Sequence, residues 1–322
     1  MPTKKILVVG GAGYIGSHMV LYLQQKGFTP IVIDNLITGH RDAVLNAELN
    51  IGDLADTSFL EKVFSRHQFA AVMHFASFIQ VGESVFDPGK YYFNNVSNTL
   101  NLLKVMRKFS VDYFIFSSTA AVYGEPQYTP IDEKHPVLPV NPYGHSKKMV
   151  EQILEDFSHA YGMHFISLRY FNAAGADPSG KLRERHEPET HLIPIIMRAA
   201  KNPQYSVTVN GRDYPTHDGT CIRDFIHVND LCEAHYLSLE KLWNENKSAI
   251  YNLGTGQGHS VQEVIDAVKQ ITKKEIRIVE GVRRAGDPAV LIADAKLAEK
   301  ELGWVPKRSE LEKIIEDVSF GN

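Results

Sequence analysis

The fold class is set by Lys5-Ile6-Leu7-Val8-Val9-Gly10-Gly11-Ala12-Gly13-Tyr14-Ile15-Gly16, near the start of the chain. Within it, Ile6-Leu7-Val8-Val9 is an unbroken apolar run, which is typical of a parallel-sheet strand buried on both faces. The second half fits the glycine pattern G-x-G-x-x-G from Gly11 and the pattern G-x-x-G-x-x-G from Gly10. In both patterns the glycines allow a tight turn and let a pyrophosphate approach the amides at the positive end of the next helix. Placed between a strand and a helix, the stretch predicts a dinucleotide-binding site.

Beyond this stretch, the first half of the chain alternates short β-branched runs with helical patterns. The alternation predicts an α/β fold of Rossmann type, a doubly wound parallel sheet with crossover helices. The predicted strands are Lys5–Val9, Thr29–Ile33, Leu49–Ile51, Ala71–His74, Tyr113–Ser117 and His164–Arg169. The predicted helices are Ile15–Lys26, Ser58–His67, Lys90–Phe109 and Tyr143–Tyr161.

After Asn172 the sequence becomes less regular. Gly175–Pro188 is rich in glycine, proline and charge and predicts a long loop, and Asn210–Thr220 is a second glycine-rich stretch. The later elements are predicted as helices Val228–Trp243, Val261–Ile271 and Asp294–Leu302, with short strands such as Ala249–Leu253. We therefore predict a dinucleotide-binding Rossmann domain over residues 1–172 and a smaller C-terminal α/β substrate-binding domain over residues 173–322. Some chain crossing between the two is expected.

The residue at the end of the second predicted strand indicates which dinucleotide is bound. Asp34 lies 18 residues beyond Gly16, where a carboxylate can accept both adenosine-ribose hydroxyls and would repel a 2′-phosphate. Asn35 follows, rather than the arginine that would favour a phosphorylated cofactor. We therefore expect NAD as the cofactor, with Asp53, after the third strand, as an adenine contact.

Tyr143 and Lys147 are one helical turn apart and therefore project from the same helix face. A free tyrosine titrates near pH ~10, so a phenolate base at neutral pH needs roughly 4 kcal/mol of stabilisation. A neighbouring ammonium group supplies part of that. The spacing alone is common on solvated helices, but the glycine turn and the hydroxyls of Ser117-Ser118-Thr119 upstream favour a redox and proton-transfer site.

Composition excludes several classes of protein. The chain has 322 residues, 43% of them hydrophobic, and a net charge of −4, so it offers no basic field for nucleic acid or an anionic membrane. Its N-terminal apolar run is too short for a signal peptide, and no apolar run could span a bilayer. Two cysteines make no disulfide framework, and the 14 histidines show no metal-ligand spacing. We expect a cytoplasmic protein without a metal.

Taken together, the motifs resemble those of the extended short-chain dehydrogenase/reductases, and within them the UDP-glucose 4-epimerase family, over nearly the full length of the chain. Those before Asn172 are shared by the superfamily, whereas the block Asp213–His227 is far more specific. The matching segments are Gly10–His18, Asp34–Leu36, His74–Ala76, Val81–Ser84, Tyr91–Asn95, Phe116–Thr119, Val122–Gly124, Pro142–Gly144 with Ser146 and Lys147, Leu168–Asn172, Asp213–Thr216, Asp218–Thr220, Arg223–His227 and Tyr251–Gly254.

The resemblance implies an isomerase that interconverts UDP-glucose and UDP-galactose by NAD-dependent epimerisation at C4, through a transient 4-keto sugar. It implies Tyr143 as the base, Lys147 as its pKa partner and ribose ligand, and Thr119, where the family usually has serine, as the third catalytic hydroxyl. The implied cofactor-binding residues are Gly10, Gly13, Tyr14, Ile15, Gly16, Asp34, Asn35, Asp53, Leu54, Phe75, Ala76, Asn94, Ser117, Tyr143, Lys147 and Tyr170. The implied substrate-binding residues are Thr119, Asn172, His191, Leu192, Asn210, Arg223, Arg284, Asp287 and Leu291.

Several positions depart from the family pattern. Ile79 replaces a lysine that many members place near the cofactor. His191 and Asn210 replace an asparagine and an aromatic residue found in some members, which leaves the uracil contacts open. Leu291 occupies the position whose bulk is associated with excluding or admitting N-acetylated sugars, and leucine is intermediate. The sugar therefore stays open between glucose/galactose, the N-acetylated pair, and a uronate or pentose relative.

Several rival functions remain. A nucleotide-sugar 4,6-dehydratase needs an Asp-Glu pair after the catalytic threonine, but this chain has Ala120 and Ala121, which cannot donate a proton; the same absence weakens a UDP-glucuronate decarboxylase. A simple NAD-dependent dehydrogenase would leave the residues implied to bind UDP unexplained. A non-catalytic NAD or nucleotide-sugar sensor is a further rival, although the catalytic set is complete. By family analogy we also expect a homodimer, in which the helices Lys90–Phe109 and Tyr143–Tyr161 of each subunit form a four-helix interface.

Overall fold

The computed structural model describes residues 4–284 and 287–320. The chain divides into two compact units, each assembled from several segments. The first unit contains the chain up to Gly124, Pro136–Arg169 and Cys232–Tyr251, and the second contains Glu125–His135, Tyr170–Leu231 and the chain from Asn252 onward. The assignment of cofactor and substrate to the two parts of the chain stays a prediction.

The regular elements have the following bounds. In chain order the strands are β1 (Lys5–Val9), β2 (Thr29–Asp34), β3 (Glu48–Ile51), β4 (Phe69–His74), β5 (Tyr113–Thr119), β6 (His164–Tyr170), β7 (Asn172–Ala174), β8 (Val207–Asn210), β9 (Ile222–Arg223), β10 (Phe225–His227), β11 (Ala249–Leu253), β12 (His259–Ser260), β13 (Ile278–Gly281) and β14 (Val290–Leu291). The α-helices are α1 (Tyr14–Gln25), α2 (Thr57–Arg66), α3 (Val81–Phe86), α4 (Pro88–Tyr91), α5 (Asn98–Lys108), α6 (Pro142–Tyr161), α7 (Leu192–Lys201), α8 (Val228–Glu245), α9 (Val261–Thr272), α10 (Lys296–Leu302) and α11 (Leu311–Phe320).

The central element is a seven-stranded sheet in the order β11-β6-β5-β4-β1-β2-β3. Its pairs β1–β2, β2–β3, β1–β4 and β4–β5 are parallel, with Val9 opposite His74 and His74 opposite Phe116. From β1 the chain adds strands on one side up to β3 and then on the other side from β4 onward. In such sheets ligands bind beyond the carboxyl ends of the strands, at the point where the strand order reverses. Here that point lies between β1 and β4.

Burial of the sheet explains why β1 is apolar from Ile6 to Val9. Leu7 and Val9 are buried in a core that also contains Leu60 and Phe64 of α2 and Leu102 of α5. At roughly 25 cal/mol per Å² of apolar surface removed from water, such side chains contribute about 1.5–3 kcal/mol each. The apolar run read from the sequence is therefore the strand on which the helices pack, and it fixes where the following glycine turn emerges.

In its described residues the second unit has its own core and three small sheets, with strand orders β10-β7, β12-β9-β14 and β13-β8. Helices α7, α9 and α11 share this core with β8, through residues such as Ile196, Val264, Ile314 and Val209. The pairing of β9 with β14 brings Arg223 opposite Leu291, and the pairing of β8 with β13 brings Asn210 opposite Gly281. These short strands thus carry several predicted substrate residues.

The structure confirms the parallel α/β fold predicted from the sequence and changes three details. The sequence groups Ala249–Leu253 with the later elements, but as β11 it joins the edge of the large sheet. The single helix predicted over Lys90–Phe109 consists of α4, a π-helical segment at Tyr92–Ser97, and α5. Helices α7 and α11 are not among the predicted elements. Within residues 4–284 and 287–320, no helix combines the length and apolar content needed to cross a membrane.

Candidate active site

The glycine turn between β1 and α1 is closely packed. Gly10 has φ +78°, in the left-handed region that favours glycine, and a Cβ there would lie 2.5 Å from the Ala76 nitrogen. A Cβ on Gly16 would lie 2.1 Å from the Gly10 carbonyl oxygen. Only glycine therefore fits at these two positions, and Ala76, a predicted cofactor residue, packs directly against the turn.

The helix end that follows this turn suits an anion. Gly13 is the N-cap of α1, and no side chain of the described residues caps this helix end. The first amides of a helix have no partner within the helix and carry a partial positive charge. Tyr14 and Ile15, the first residues of α1, therefore lie where a pyrophosphate would be bound.

Asp34 lies at the end of β2 with its carboxylate turned towards the glycine turn. Its Oδ2 accepts a hydrogen bond from the Ala12 amide at 2.9 Å, and its Oδ1 accepts one from the Leu36 amide at 2.8 Å. Burial raises the pKa of Asp34, and the two amide bonds oppose that shift. Since an ionised carboxylate has about four acceptor positions, two remain for ribose hydroxyls. The donor and acceptor groups at this site fit an unphosphorylated adenosine ribose.

The other predicted adenosine contacts form a polar group beside β3. Asn35 Nδ2 donates to Asp53 Oδ2 at 2.7 Å, and Asn98 Nδ2 lies 3.3 Å from Asp53 Oδ1. Leu54, next in sequence, is buried. Asn98, which the sequence reading did not single out, holds the Asp53 carboxylate in place.

Thr119 and Tyr143 are brought together at the end of β5 and the start of α6. Asn141 caps α6 by accepting a hydrogen bond from the Gly144 amide at 2.9 Å, which fixes the first turn of the helix carrying Tyr143. Thr119 Oγ1 accepts a hydrogen bond from the Ala121 amide at 3.1 Å, so its hydroxyl proton can be directed at Tyr143. Burial raises the pKa of Tyr143, and the hydrogen bond from Thr119 lowers it.

Lys147 is buried one turn further along α6. Its Nζ donates to Ser77 Oγ and to the Ser117 carbonyl oxygen, both at 2.7 Å, and lies 6.0 Å from the centre of the Tyr143 ring. Burial lowers the pKa of Lys147 to about 7, and the negative charge of Glu151 opposes that shift. An ammonium group has three N–H donors, so one remains for a ligand.

A buried ion pair lies next to Lys147, and the sequence did not predict it. Glu151, one turn beyond Lys147, accepts hydrogen bonds from Arg169 Nε at 3.0 Å, from Arg169 Nη2 at 2.6 Å and from Ser118 Oγ at 2.6 Å. Arg169 Nη1 also donates to the Tyr123 hydroxyl at 3.0 Å. Because Ser118 is on β5 and Glu151 on α6, this network ties the strand that carries Thr119 to the helix that carries the tyrosine and lysine.

Three further cofactor candidates lie on different elements. Phe75 follows β4, and its ring centre lies 4.8 Å from that of His235. Asn94, in the π-helical segment, donates through Nδ2 to Asn95 Oδ1 at 2.9 Å. Tyr170 is the last residue of β6 and belongs to the second unit.

In the second unit the structure groups five of the predicted substrate residues. Arg223 forms an ion pair through Nη2 with Asp287, and its Nη1 donates to the Ile222 carbonyl oxygen. When the amide of Asn210 is oriented with its oxygen towards Arg284, that oxygen accepts hydrogen bonds from Arg284 Nε and Nη2, both at 3.2 Å. Leu291 is the partner of Arg223 in the β9–β14 pair. The arrangement offers guanidinium groups that bind phosphates, with Asp287 as a hydroxyl acceptor.

Two further parts of the second unit involve predicted residues. Asn172 Nδ2 donates to the carbonyl oxygen of Asp224, whose buried carboxylate accepts the amides of Gly256 and Ala293. His191 is the N-cap of α7, directly before Leu192, and its Nδ1 lies 2.7 Å from Glu189 Oε1. His191 also joins a group with Glu184 and His186, which spacing along the sequence did not predict.

Several known proteins are similar to this chain in sequence and in fold. The sequence model described as "NAD dependent epimerase/dehydratase family" matches residues 6–254. A UDP-glucose 4-epimerase of Halalkalibacterium halodurans is 49% identical over 97% of this chain and 93% of its own length. The crystal structure of UDP-glucose 4-epimerase from Brucella ovis in complex with NAD has a TM-score of 0.95 and 44% identity, and covers 99% of this chain and 98% of that one.

A second solved structure carries both kinds of ligand. The structure of UDP-glucose 4-epimerase from Bifidobacterium longum in complex with NAD+ and UDP has a TM-score of 0.93 and 39% identity, over 98% of this chain and 97% of that one. Since the family match spans more than half of the sequence and the relatives cover nearly all of it, this chain belongs to the NAD dependent epimerase/dehydratase family.

Proposed function

We propose that this protein is a UDP-glucose 4-epimerase, which inverts the configuration at C4 of a UDP-hexose. The observation that carries the proposal is the grouping of Thr119, Tyr143 and Lys147 at the carboxyl end of β5, in a chain whose curated relatives have that name. Ala120 and Ala121 directly follow the threonine, so the acid that a dehydratase requires there is missing.

The cofactor would be NAD, held by the glycine turn for its pyrophosphate and by Asp34 for its adenosine ribose. The tight packing of Gly10 and Gly16 and the two open acceptor positions on Asp34 support this assignment. The chemistry supplied by the cofactor when bound is reversible hydride exchange with C4 of the hexose, through a transient 4-keto sugar.

The protein's own part in the reaction is proton transfer and positioning. Tyr143 would take the proton of the 4-hydroxyl and later return it, with Thr119 holding the oxygen or relaying the proton. Lys147 would favour the phenolate by its charge and bind the nicotinamide ribose with its remaining N–H. Its bonds to Ser77 and Ser117 support this role, because they fix the ammonium group in one place.

The UDP moiety would be held by the second unit. Arg223 and Arg284 would bind the diphosphate, and Asp287 would bind the ribose. The rest of the nucleotide would be contacted by His191, Leu192 and Asn210. Arg223 is paired with Asp287 in the structure, so a diphosphate would compete with this carboxylate for the guanidinium group. Firm contacts on the nucleotide and few charges near the hexose would let the keto sugar rotate about its diphosphate link. It would then present the opposite face of C4 to the cofactor. Asn172 and Leu291 would lie nearer the sugar.

A second candidate substrate is the N-acetylated pair, UDP-N-acetylglucosamine and UDP-N-acetylgalactosamine. Leucine at position 291 is intermediate in bulk and therefore leaves this substrate open. A UDP-glucuronate or a UDP-pentose is a third candidate substrate, which Leu291 also leaves open.

We also propose that the protein acts as a cytoplasmic homodimer. The proposal rests on the family resemblance; on the two helical segments expected at the interface, Phe93 is 60% exposed and Met149 is 45% exposed, so a partner could cover both side chains. Sedimentation velocity tests the dimer, and a monomer at micromolar concentration would rule it out. Cys221 is a free thiol, which is usual in a reducing compartment.

The test of the function uses the protein as purified, without added cofactor. UDP-galactose and, separately, UDP-N-acetylgalactosamine are incubated with it, and the products are separated by anion-exchange chromatography. The C4 epimer of at least one substrate is expected, and the ratio of the two rates assigns the sugar. Bound NAD with no epimer from either substrate would instead favour the non-catalytic sensor, and a 4-keto-6-deoxy product would favour the dehydratase.

A further inference from the structure

A group of histidines and acidic residues precedes helix α7. Glu184, His186 and His191 each place one ligand atom within 4.8 Å of the others. All three belong to the second unit and lie within eight residues of one another in the loop that leads into the helix. Neither the proton transfer nor the redox chemistry proposed above uses Glu184 or His186.

The spacing of these atoms is close to that of a metal site. In a tetrahedral zinc site with metal–ligand bonds of about 2.0–2.2 Å, the ligand atoms lie roughly 3.4 Å apart. Glu184 Oε2 and His191 Nδ1 are 3.5 Å apart, and the ring centres of His186 and His191 are 5.5 Å apart. Small side-chain movements would therefore bring the three groups onto one ion.

A second, independent observation concerns the carboxylate. The Glu184 side chain is only 6% exposed, and its Oε2 accepts no hydrogen bond from any described residue. Its Oε1, in contrast, accepts the amides of Arg185 and His186 as well as His186 Nδ1. A buried carboxylate oxygen without a donor is costly unless a cation satisfies it. This oxygen faces His191, inside the group.

We propose that Glu184, His186 and His191 bind a divalent transition-metal ion of the zinc class. Two imidazole nitrogens and one carboxylate oxygen form a ligand set that zinc uses, whereas magnesium and calcium prefer oxygen ligands alone. His191 is 31% exposed, which leaves space for a water molecule as the fourth ligand. Glu189 Oε1 lies 2.7 Å from the same His191 Nδ1, so an ion bound through this nitrogen would displace Glu189 from it.

The site would fix the loop in front of α7. Its ligands come from both ends of Glu184–His191, so one ion would join the start of this segment to the N-cap of the helix. The proposal does not depend on the epimerase activity, since its readouts are metal content and stability.

The test begins with protein stripped by a chelator and dialysed. Zn²⁺ is titrated by calorimetry, bound zinc is counted by mass spectrometry, Co²⁺ is added as a spectroscopic probe, and Mg²⁺ serves as the oxygen-preferring comparison. We expect about one zinc ion per chain, a higher thermal midpoint with Zn²⁺ but not with Mg²⁺, and a tetrahedral Co²⁺ spectrum. A chain that takes up no stoichiometric zinc and shows no shift in its midpoint overturns the proposal.

Variants locate the site. Glu184→Gln and His186→Ala should each weaken zinc binding by at least about 10–100-fold, the loss seen when even an outer partner of a metal ligand is removed. The matched control is His217→Ala, because His217 also faces two carboxylates, Asp218 and Glu263, but is 55% exposed and belongs to no group of three potential metal ligands among the described residues. Wild-type affinity in both Glu184→Gln and His186→Ala, or an equal loss in His217→Ala, contradicts the assignment. A circular dichroism spectrum equal to that of wild type serves as the check that each variant is folded.

Discussion

Replacing Glu151 by glutamine should destabilise the protein and slow the reaction together. The carboxylate of Glu151 is buried and accepts three hydrogen bonds, two from the buried guanidinium group of Arg169 and one from Ser118. The glutamine amide has no negative charge, and its NH₂ group would face the N–H donors of Arg169. Removing one partner of a buried ion pair costs about 3–5 kcal/mol, because the other charge stays buried without compensation. For a chain of 322 residues that corresponds to a fall of roughly 4–7 °C in the thermal midpoint.

The effect on the rate follows from what the network connects. Ser118 lies on β5 next to Thr119, and Glu151 lies on the same helix as Tyr143 and Lys147, so loosening their link lets the catalytic groups separate. The charge of Glu151 also opposes the burial that lowers the Lys147 pKa, so its loss should leave less ammonium at neutral pH. We therefore expect Glu151→Gln to lower kcat more than it raises KM, and its rate optimum to move to lower pH.

The assay compares unfolding by differential scanning calorimetry with steady-state kinetics for three variants. Glu155→Gln is the matched control, since Glu155 is exposed one turn further along the same helix and should stay within about 0.5 kcal/mol of wild type. The double variant Glu151→Met, Arg169→Met should recover most of the lost stability, because no unpaired charge remains buried. If Glu151→Gln matches Glu155→Gln in both midpoint and kcat, the positioning role assigned to this ion pair is wrong.

Three further predictions concern the cofactor turn, the buried lysine and the sugar. Gly16→Ala should lose bound NAD, since its Cβ would lie 2.1 Å from the Gly10 carbonyl oxygen; the absorbance of cofactor released by denaturation measures this, and full occupancy would refute the packing argument. Because burial lowers the Lys147 pKa from 10.5 to about 7, the unfolded chain binds the extra proton between these values, so wild-type stability should rise with pH across that window. Lys147→Met should lack that rise, which amounts to at most about 5 kcal/mol in urea unfolding, and a parallel pH dependence in both proteins would contradict it. Leu291→Tyr should lower kcat/KM for UDP-N-acetylgalactosamine relative to UDP-galactose, and an unchanged ratio would remove Leu291 from the choice of sugar.

The elements that local pattern determines were predictable from the sequence. Lys5–Val9 and Ala249–Leu253 form strands with the bounds expected from their apolar and β-branched residues. The sheet to which Ala249–Leu253 belongs was not predictable in the same way, because strand pairing depends on residues far away in the chain. The π-helical segment at Tyr92–Ser97 likewise lies inside a pattern that periodicity reads as one continuous helix.

In the candidate site, too, local spacing was predictable from the sequence and contacts between distant residues were not. The spacing of Tyr143 and Lys147 placed both on one helix face, and Glu151 continues that spacing by one more turn. Its partner Arg169 is on a strand 18 residues further on, so only the fold shows that the two charges meet. Glu184 and His191 lie in a loop without periodicity, where spacing gives no indication of distance.

The central claim is that Tyr143 transfers the proton in a C4 epimerisation, and a comparison of Tyr143→Phe with Tyr161→Phe tests it most directly. Tyr161 ends the same helix and is 47% exposed, so its variant controls for the loss of a phenol hydroxyl from α6. The measurement is the rate of UDP-glucose formation from UDP-galactose, together with the NAD bound per chain. We predict that Tyr143→Phe keeps its NAD and loses about 10²–10⁴-fold in rate, the usual contribution of a positioned acid–base group, while Tyr161→Phe equals wild type. A Tyr143→Phe enzyme that epimerises at the wild-type rate would contradict the account.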